Sequence, residues 1–129
     1  MTLVAQAQIN PDASGRPSPI VVRVYQLKSE DKYAQADFFA LFDDDQKALG
    51  GDLLGREEAE LAPGETRELQ FAVSRDAKFV GVLAAFRDIR NSRWRAIQPA
   101  PKKGWLDVFG KDAITVTVSR DAVALTVKD

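Results

Sequence analysis

Hydrophobic and polar positions alternate along much of this chain with the two-residue period of half-buried strands. Leu3, Ala5, Ala7 and Ile9 alternate with Thr2, Val4, Gln6 and Gln8, predicting a first strand over Thr2–Ile9. Ile20–Leu27 is denser in β-branched and aromatic residues and predicts a central strand, on which Arg23 and Tyr25 need a polar outlet. From Ser29 the spacing changes to three and four residues. Tyr33, Phe38, Leu41, Phe42 and Leu49 can then share one helical stripe, which Gly50-Gly51 stops. This excursion, about residues 29–50, fits one helix or two, with Ser29 or Asp37 placed to cap a start.

Leu53–Leu61 is acidic and ambiguous, and Ala62-Pro63-Gly64-Glu65 marks a turn before strict alternation resumes from Thr66 to Val73. Phe79–Arg87 reads as a buried core strand, with small residues that let a neighbour approach closely. Trp94–Ile97 predicts a short strand, followed by a long connection in which Trp105, Leu106, Val108 and Phe109 supply apolar surface to bury. Ala113–Val118 and Val123–Val127, separated by Ser119-Arg120-Asp121-Ala122, predict a terminal hairpin. Six or seven short strands with one helical insertion fit a single mainly β domain over residues 1–129. The predicted architecture is a two-layer antiparallel sandwich.

Composition narrows the function classes. The chain has 129 residues, 45% apolar and 29% charged, enough for one hydrophobic core and ordinary for a folded domain. It has no cysteine and no histidine, which removes thiolate nucleophiles, thiolate and imidazole metal ligands, disulfides and the usual proton shuttle of neutral pH. The net charge of −1 gives no general pull toward nucleic acid. No signal peptide or membrane-spanning apolar stretch is visible at Met1–Gln6.

The connection between the first two strands is the candidate site: Asn10, Pro11, Asp12, Ala13, Ser14, Gly15, Arg16 and Pro17, running on to Pro19. Its prolines fix their own φ and bias Arg16 and Ser18 toward extended geometry, so little freedom is lost on meeting a partner. Arg16 offers a planar five-donor guanidinium and Asp12 the opposite charge. Two readings stand, a surface loop that merely reverses the chain and a loop that binds a partner.

Other constellations carry less. Asp43-Asp44-Asp45 with Asp37 lacks the alternating ligands of a calcium loop and reads as a solvated acidic face; no metal and no cofactor is assigned. Glu57-Glu58-Ala59-Glu60 reads the same way, with pairing to Arg56 or Arg67 open. Arg87, Arg90, Arg93 and Arg95 with Lys102 and Lys103 form the notable basic concentration, able to meet lipid headgroups, an acidic partner or peptidoglycan, and read as screened charges answering Asp76, Asp88 and Asp107. Trp94 and Trp105 with Phe86 and Phe109 read as packing, with a carbohydrate groove as the alternative. Paired carboxylates of a hydrolase, such as Glu57 with Glu60 or Asp88 with Asp107, have no motif to fix their separation.

Several pieces occur together in a particular order: Asn10-Pro11-Asp12, Gly15 to Leu27, Ala36–Phe42, Leu61–Glu65, Phe79–Val82, Ala85–Asp88 and Trp94-Arg95. In this the chain resembles the TssJ (SciN) family of type VI secretion outer-membrane lipoproteins. The resemblance implies a transthyretin-like sandwich with an inserted helical element and no enzymatic activity. It implies a tether, through an acylated N-terminal cysteine, to the periplasmic face of the bacterial outer membrane. The implied partner is the periplasmic C-terminal domain of the inner-membrane protein TssM, bound through the loop between the first two strands, with no small-molecule substrate. The acylated cysteine and its signal peptide do not occur in this sequence, so a soluble truncation with an added methionine is expected. The alternative function is a periplasmic carbohydrate-binding sandwich.

Overall fold

The computed structural model describes residues 1–70, 74–101 and 113–128. Eight strands occur there: β1 Thr2–Ala5, β2 Ile20–Leu27, β3 Leu53–Leu61, β4 Thr66–Glu68, β5 Phe79–Ala84, β6 Arg95–Pro99, β7 Ile114–Val118 and β8 Val123–Val127. They form two four-stranded sheets, in the orders β4-β1-β7-β8 and β3-β2-β5-β6. The sandwich, its terminal hairpin and the bounds of β2 agree with the sequence expectation.

Several details differ. The β1–β7 pairing is parallel, Thr2 opposite Thr115 and Ala5 opposite Val118, because the second sheet lies between them in the chain and a crossover replaces a hairpin. β1 ends at Ala5 instead of Ile9; Gln6 still bonds Val118 and Gly64, but Ala7 is exposed and the chain turns before Ile9 returns to the core. The ambiguous segment is the nine-residue β3, whose acidic residues face solvent while Ala59 and Leu61 are buried. Of the expected strand beyond Thr66, residues 71–73 lie outside the described residues, as do Trp105, Leu106, Val108 and Phe109.

The helical excursion is three short helices, α1 Asp31–Gln35, α2 Phe38–Asp43 and α3 Asp45–Leu49, followed by a 3-10 turn at Gly50–Asp52. Two aspartates divide it. Asp37 Oδ1 accepts the Ala40 N–H at 2.7 Å and Asp44 Oδ1 the Lys47 N–H at 3.2 Å, so each starts a new helix.

Two apolar clusters result, one on each face of β2. Ile20, Val22 and Val24 meet Leu3, Val82, Val116 and Leu125 between the sheets. On the outer face Tyr25 and Leu27 meet Tyr33, Phe38, Leu41 and Leu49 of the helical stripe. Each such side chain, fully buried, contributes about 1.5–3 kcal/mol. Gly81 makes the helix-to-sheet contact possible: a Cβ there would lie 2.9 Å from two atoms of the Tyr33 ring. The Tyr33 hydroxyl donates to the Val82 carbonyl on the same strand.

The polar outlet for Arg23 and Tyr25 is Asp45. Arg23 Nη1 lies 3.3 Å from the carboxylate, the Tyr25 hydroxyl donates to it at 3.1 Å, and Arg56 closes on it from the solvent side. Arg23 also pairs with Glu58 through Nε at 2.8 Å and sits over the Phe42 ring at 4.6 Å. Asp45, 6% exposed, is therefore no part of a solvated acidic face, because it neutralises a guanidinium that the helices bury. Arg67 pairs with Glu65. Burial pushes the Tyr25 phenol up to about 12 and raises that of Tyr33 well above its ordinary value.

Candidate functional site

The loop from Asn10 to Pro19 is built from its own hydrogen bonds. Asn10, 4% exposed and at φ +48°, is an asparagine in the left-handed region that excludes most side chains. Its N–H donates to the Arg120 carbonyl at 3.0 Å and its Nδ2 to the Pro19 carbonyl at 2.9 Å, while its Oδ1 accepts the Arg87 N–H at 2.8 Å. One buried residue thereby joins three connections: 6–19, the link after β5, and the β7–β8 turn. Ser18 closes the base of the loop, its hydroxyl donating to the Asn10 carbonyl and its N–H to the Ile9 carbonyl at 3.2 Å.

Asp12 organises the tip. Its Oδ1 accepts the Ser14 N–H at 2.8 Å and the Arg16 N–H at 3.0 Å, and its own N–H donates to the Arg16 carbonyl at 2.8 Å. Gly15 takes φ +81°, which permits the reversal. Oδ2 of Asp12 stands 3.4 Å from Arg16 Nε. Asp12, expected to offer its charge outward, is thus committed to its own loop, and Arg16, 79% exposed, is the displayed charge. Ala13, Ser14, Gly15 and Pro17 are exposed beside it, and Pro11 is half-buried. The loop is shaped before any partner arrives, which lowers the ordering cost of binding.

Sequence reasoning missed Ser18, Pro19, Arg87 and Arg120 as companions of Asn10. The apposition of the three connections depends on strand order, and no local pattern in Ser119–Ala122 signals it. Arg95 leaves the basic group expected near it. Its guanidinium lies over the Trp94 ring at 4.5 Å and donates to the Tyr33 carbonyl at 2.8 Å and to the Ala36 carbonyl. Trp94 also receives Phe38 edge-on at 5.2 Å, so its ring is engaged in packing. Trp105 lies outside the described residues, as do Lys102, Lys103 and Asp107. Among the described residues, no group of three or more carboxylates could hold a metal ion, and no helix is long and apolar enough to cross a membrane.

The family described as type VI secretion lipoprotein, VasD, EvfM, TssJ matches residues 1–121. No curated protein matches the chain. Among solved structures, the chain is similar to the type VI secretion lipoprotein TssJ1 from Pseudomonas aeruginosa, at 30% identity and a TM-score of 0.82 over 99% of this chain and 93% of that one. It is similar to a chain in a structure of the type VI membrane complex, at 30% identity and a TM-score of 0.80 over 100% and 95% of the two chains. It is also similar, at 28% identity and a TM-score of 0.76 over 99% and 96%, to a chain in a structure described as the C-terminal domain of the type VI secretion protein TssM from EAEC.

Proposed function

Starting from a chain that belongs to the type VI secretion lipoprotein family, TssJ, we propose an outer-membrane adaptor whose loop 10–19 binds the periplasmic C-terminal domain of TssM. The protein is a structural component of the type VI secretion membrane complex and not an enzyme. The adaptor is held by an N-terminal lipid at the periplasmic face of the outer membrane, and it supplies position instead of chemistry.

The observation that carries this reading is the self-braced loop. Exposed Ala13–Pro17 sit on a frame of Asp12 and Asn10 hydrogen bonds, at the end of the sandwich away from Met1. β1 runs from Met1 toward that end and β2 starts from it, so a tether before Met1 and the loop stand at opposite ends of β1. A lipid at one end and a rigid loop at the other suit a protein that links the membrane to a periplasmic partner. The TssM assignment is supported by the family and by the likeness to a chain in the TssM C-terminal domain structure. The carbohydrate-binding alternative loses its described support, because Phe38 and Arg95 occupy the Trp94 ring.

Calorimetric titration with the TssM C-terminal domain tests the proposal. The parent is expected to bind saturably with a dissociation constant of about 1 μM or below. A folded variant with residues 12–16 replaced by glycine and serine is expected to lose that binding. A parent that does not bind refutes the adaptor reading, and a variant that binds like the parent refutes the placement of the site.

A further inference from the structure

The geometry points to a wider docking surface than the loop alone: the loop-bearing end of the sandwich is an arginine-lined face that receives an acidic face of the partner protein. This rests on the adaptor reading above and names the partner's chemistry. Asn10 fastens loop 10–19 to the backbone of Arg87 and of Arg120. Arg93 N–H donates to the Asp121 carbonyl at 2.8 Å, the Val123 N–H donates to the Arg93 carbonyl at 2.9 Å, and Arg90 lies in the 3-10 turn Ile89–Asn91 between them. Strand order thus brings Arg16, Arg87, Arg90, Arg93 and Arg120 to one end, all exposed.

The charge there departs from that of the chain. Across these three connections five arginines face three aspartates, Asp12, Asp88 and Asp121, in a protein whose net charge is −1. Asp12 is spent on its own loop, and both Asp88 oxygens accept from Asn91 Nδ2 at 3.1 Å. Glu65, in the adjoining turn, pairs with Arg67. Arg87, Arg90, Arg93 and Arg120 have no ion-pair partner among the described residues.

Two features favour a protein over an anionic membrane. The cations are all guanidinium groups, whose planar fork meets carboxylates in bidentate fashion. Lys28, Lys78 and Lys128 stand instead at the far strand ends, after β2, before β5 and after β8. Asp88 and Asp121 also interrupt the positive field, which disfavours a uniformly anionic sheet of headgroups but leaves single arginines free to pair with placed carboxylates.

The test compares the parent, the loop variant of residues 12–16, and a quadruple variant Arg87→Gln, Arg90→Gln, Arg93→Gln and Arg120→Gln. Association with the TssM C-terminal domain is followed by stopped flow at about 0.05 M and about 0.5 M salt. Circular dichroism and the urea midpoint confirm folding. The expected result is association about tenfold slower for the quadruple variant at low salt, with the difference nearly gone at high salt. Unchanged rates in the quadruple variant, with binding still lost in the loop variant, overturn this inference and leave the adaptor reading intact. A parent that does not bind removes both. Equal protein binding by parent and quadruple variant, with the variant losing affinity only for vesicles of anionic phospholipid, overturns the inference in favour of a membrane contact.

Discussion

Asn10→Ala is the substitution that most directly probes how the site is built. It removes the bonds from Nδ2 to the Pro19 carbonyl and from the Arg87 N–H to Oδ1. Each is a partly buried neutral hydrogen bond with a net value of about 0.5–1.5 kcal/mol. It also places an alanine at φ +48°, where a Cβ without a local polar group costs about 1–2 kcal/mol. Together these predict a loss of about 3 kcal/mol. With an m-value of about 2 kcal/mol/M, the urea midpoint falls by about 1.5 M without a change in slope. Asn10→Gly separates the two contributions, since glycine accepts the left-handed conformation but makes neither bond, and it is expected to lose about 1 kcal/mol less than alanine. Folded Asn10→Gly protein should also bind the TssM domain more weakly, because the loop is no longer tied to the link after β5 through the Arg87 N–H. A stability for Asn10→Ala within about 0.5 kcal/mol of the parent, or identical losses for the two variants, would refute the role given to this residue.

Three further outcomes follow from the second sheet and its helices. Gly81→Ala forces a Cβ to 2.9 Å from the buried Tyr33 ring and is expected to cost about 1–3 kcal/mol in urea unfolding, with loss of near-ultraviolet tyrosine signal. Asp45→Ala leaves buried Arg23 with Glu58 as its one remaining carboxylate and the Tyr25 hydroxyl without its acceptor, and chemical unfolding should show a loss of about 1–3 kcal/mol. Stability should fall as pH rises from about 10 toward 12: Tyr25 keeps its proton in the folded state up to about 12, while the unfolded chain releases it near 10. The unfolded state then binds fewer protons and is favoured, by up to about 1.4 kcal/mol per pH unit for this one group, a slope that urea midpoints across the range will measure.

The residues that made the fold legible carry their burial in local pattern. Ile20–Leu27 is buried on both faces, and its dense β-branched run announces that directly. β3 hides its nature because, as the outer strand of its sheet, it turns Arg56, Glu57, Glu58 and Glu60 to solvent and buries few side chains. Asp43-Asp44-Asp45 looks uniform in sequence, yet Asp44 caps a helix, Asp45 neutralises a buried arginine, and only their neighbours in space separate these roles. The same limit applies at the site. Prolines and glycine mark loop 10–19 as a turn, whereas the meeting of Asn10 with Arg87 and Arg120 spans the whole chain and depends on which strands pair.

Contact between TssM and one end of this sandwich would show in amide hydrogen exchange of the protein with and without the TssM C-terminal domain. Added protection is expected in residues 10–19, 85–93 and 119–122, with β3 and the three helices unchanged. Protection centred on β3 or the helices, with exchange in loop 10–19 unaltered, would contradict it.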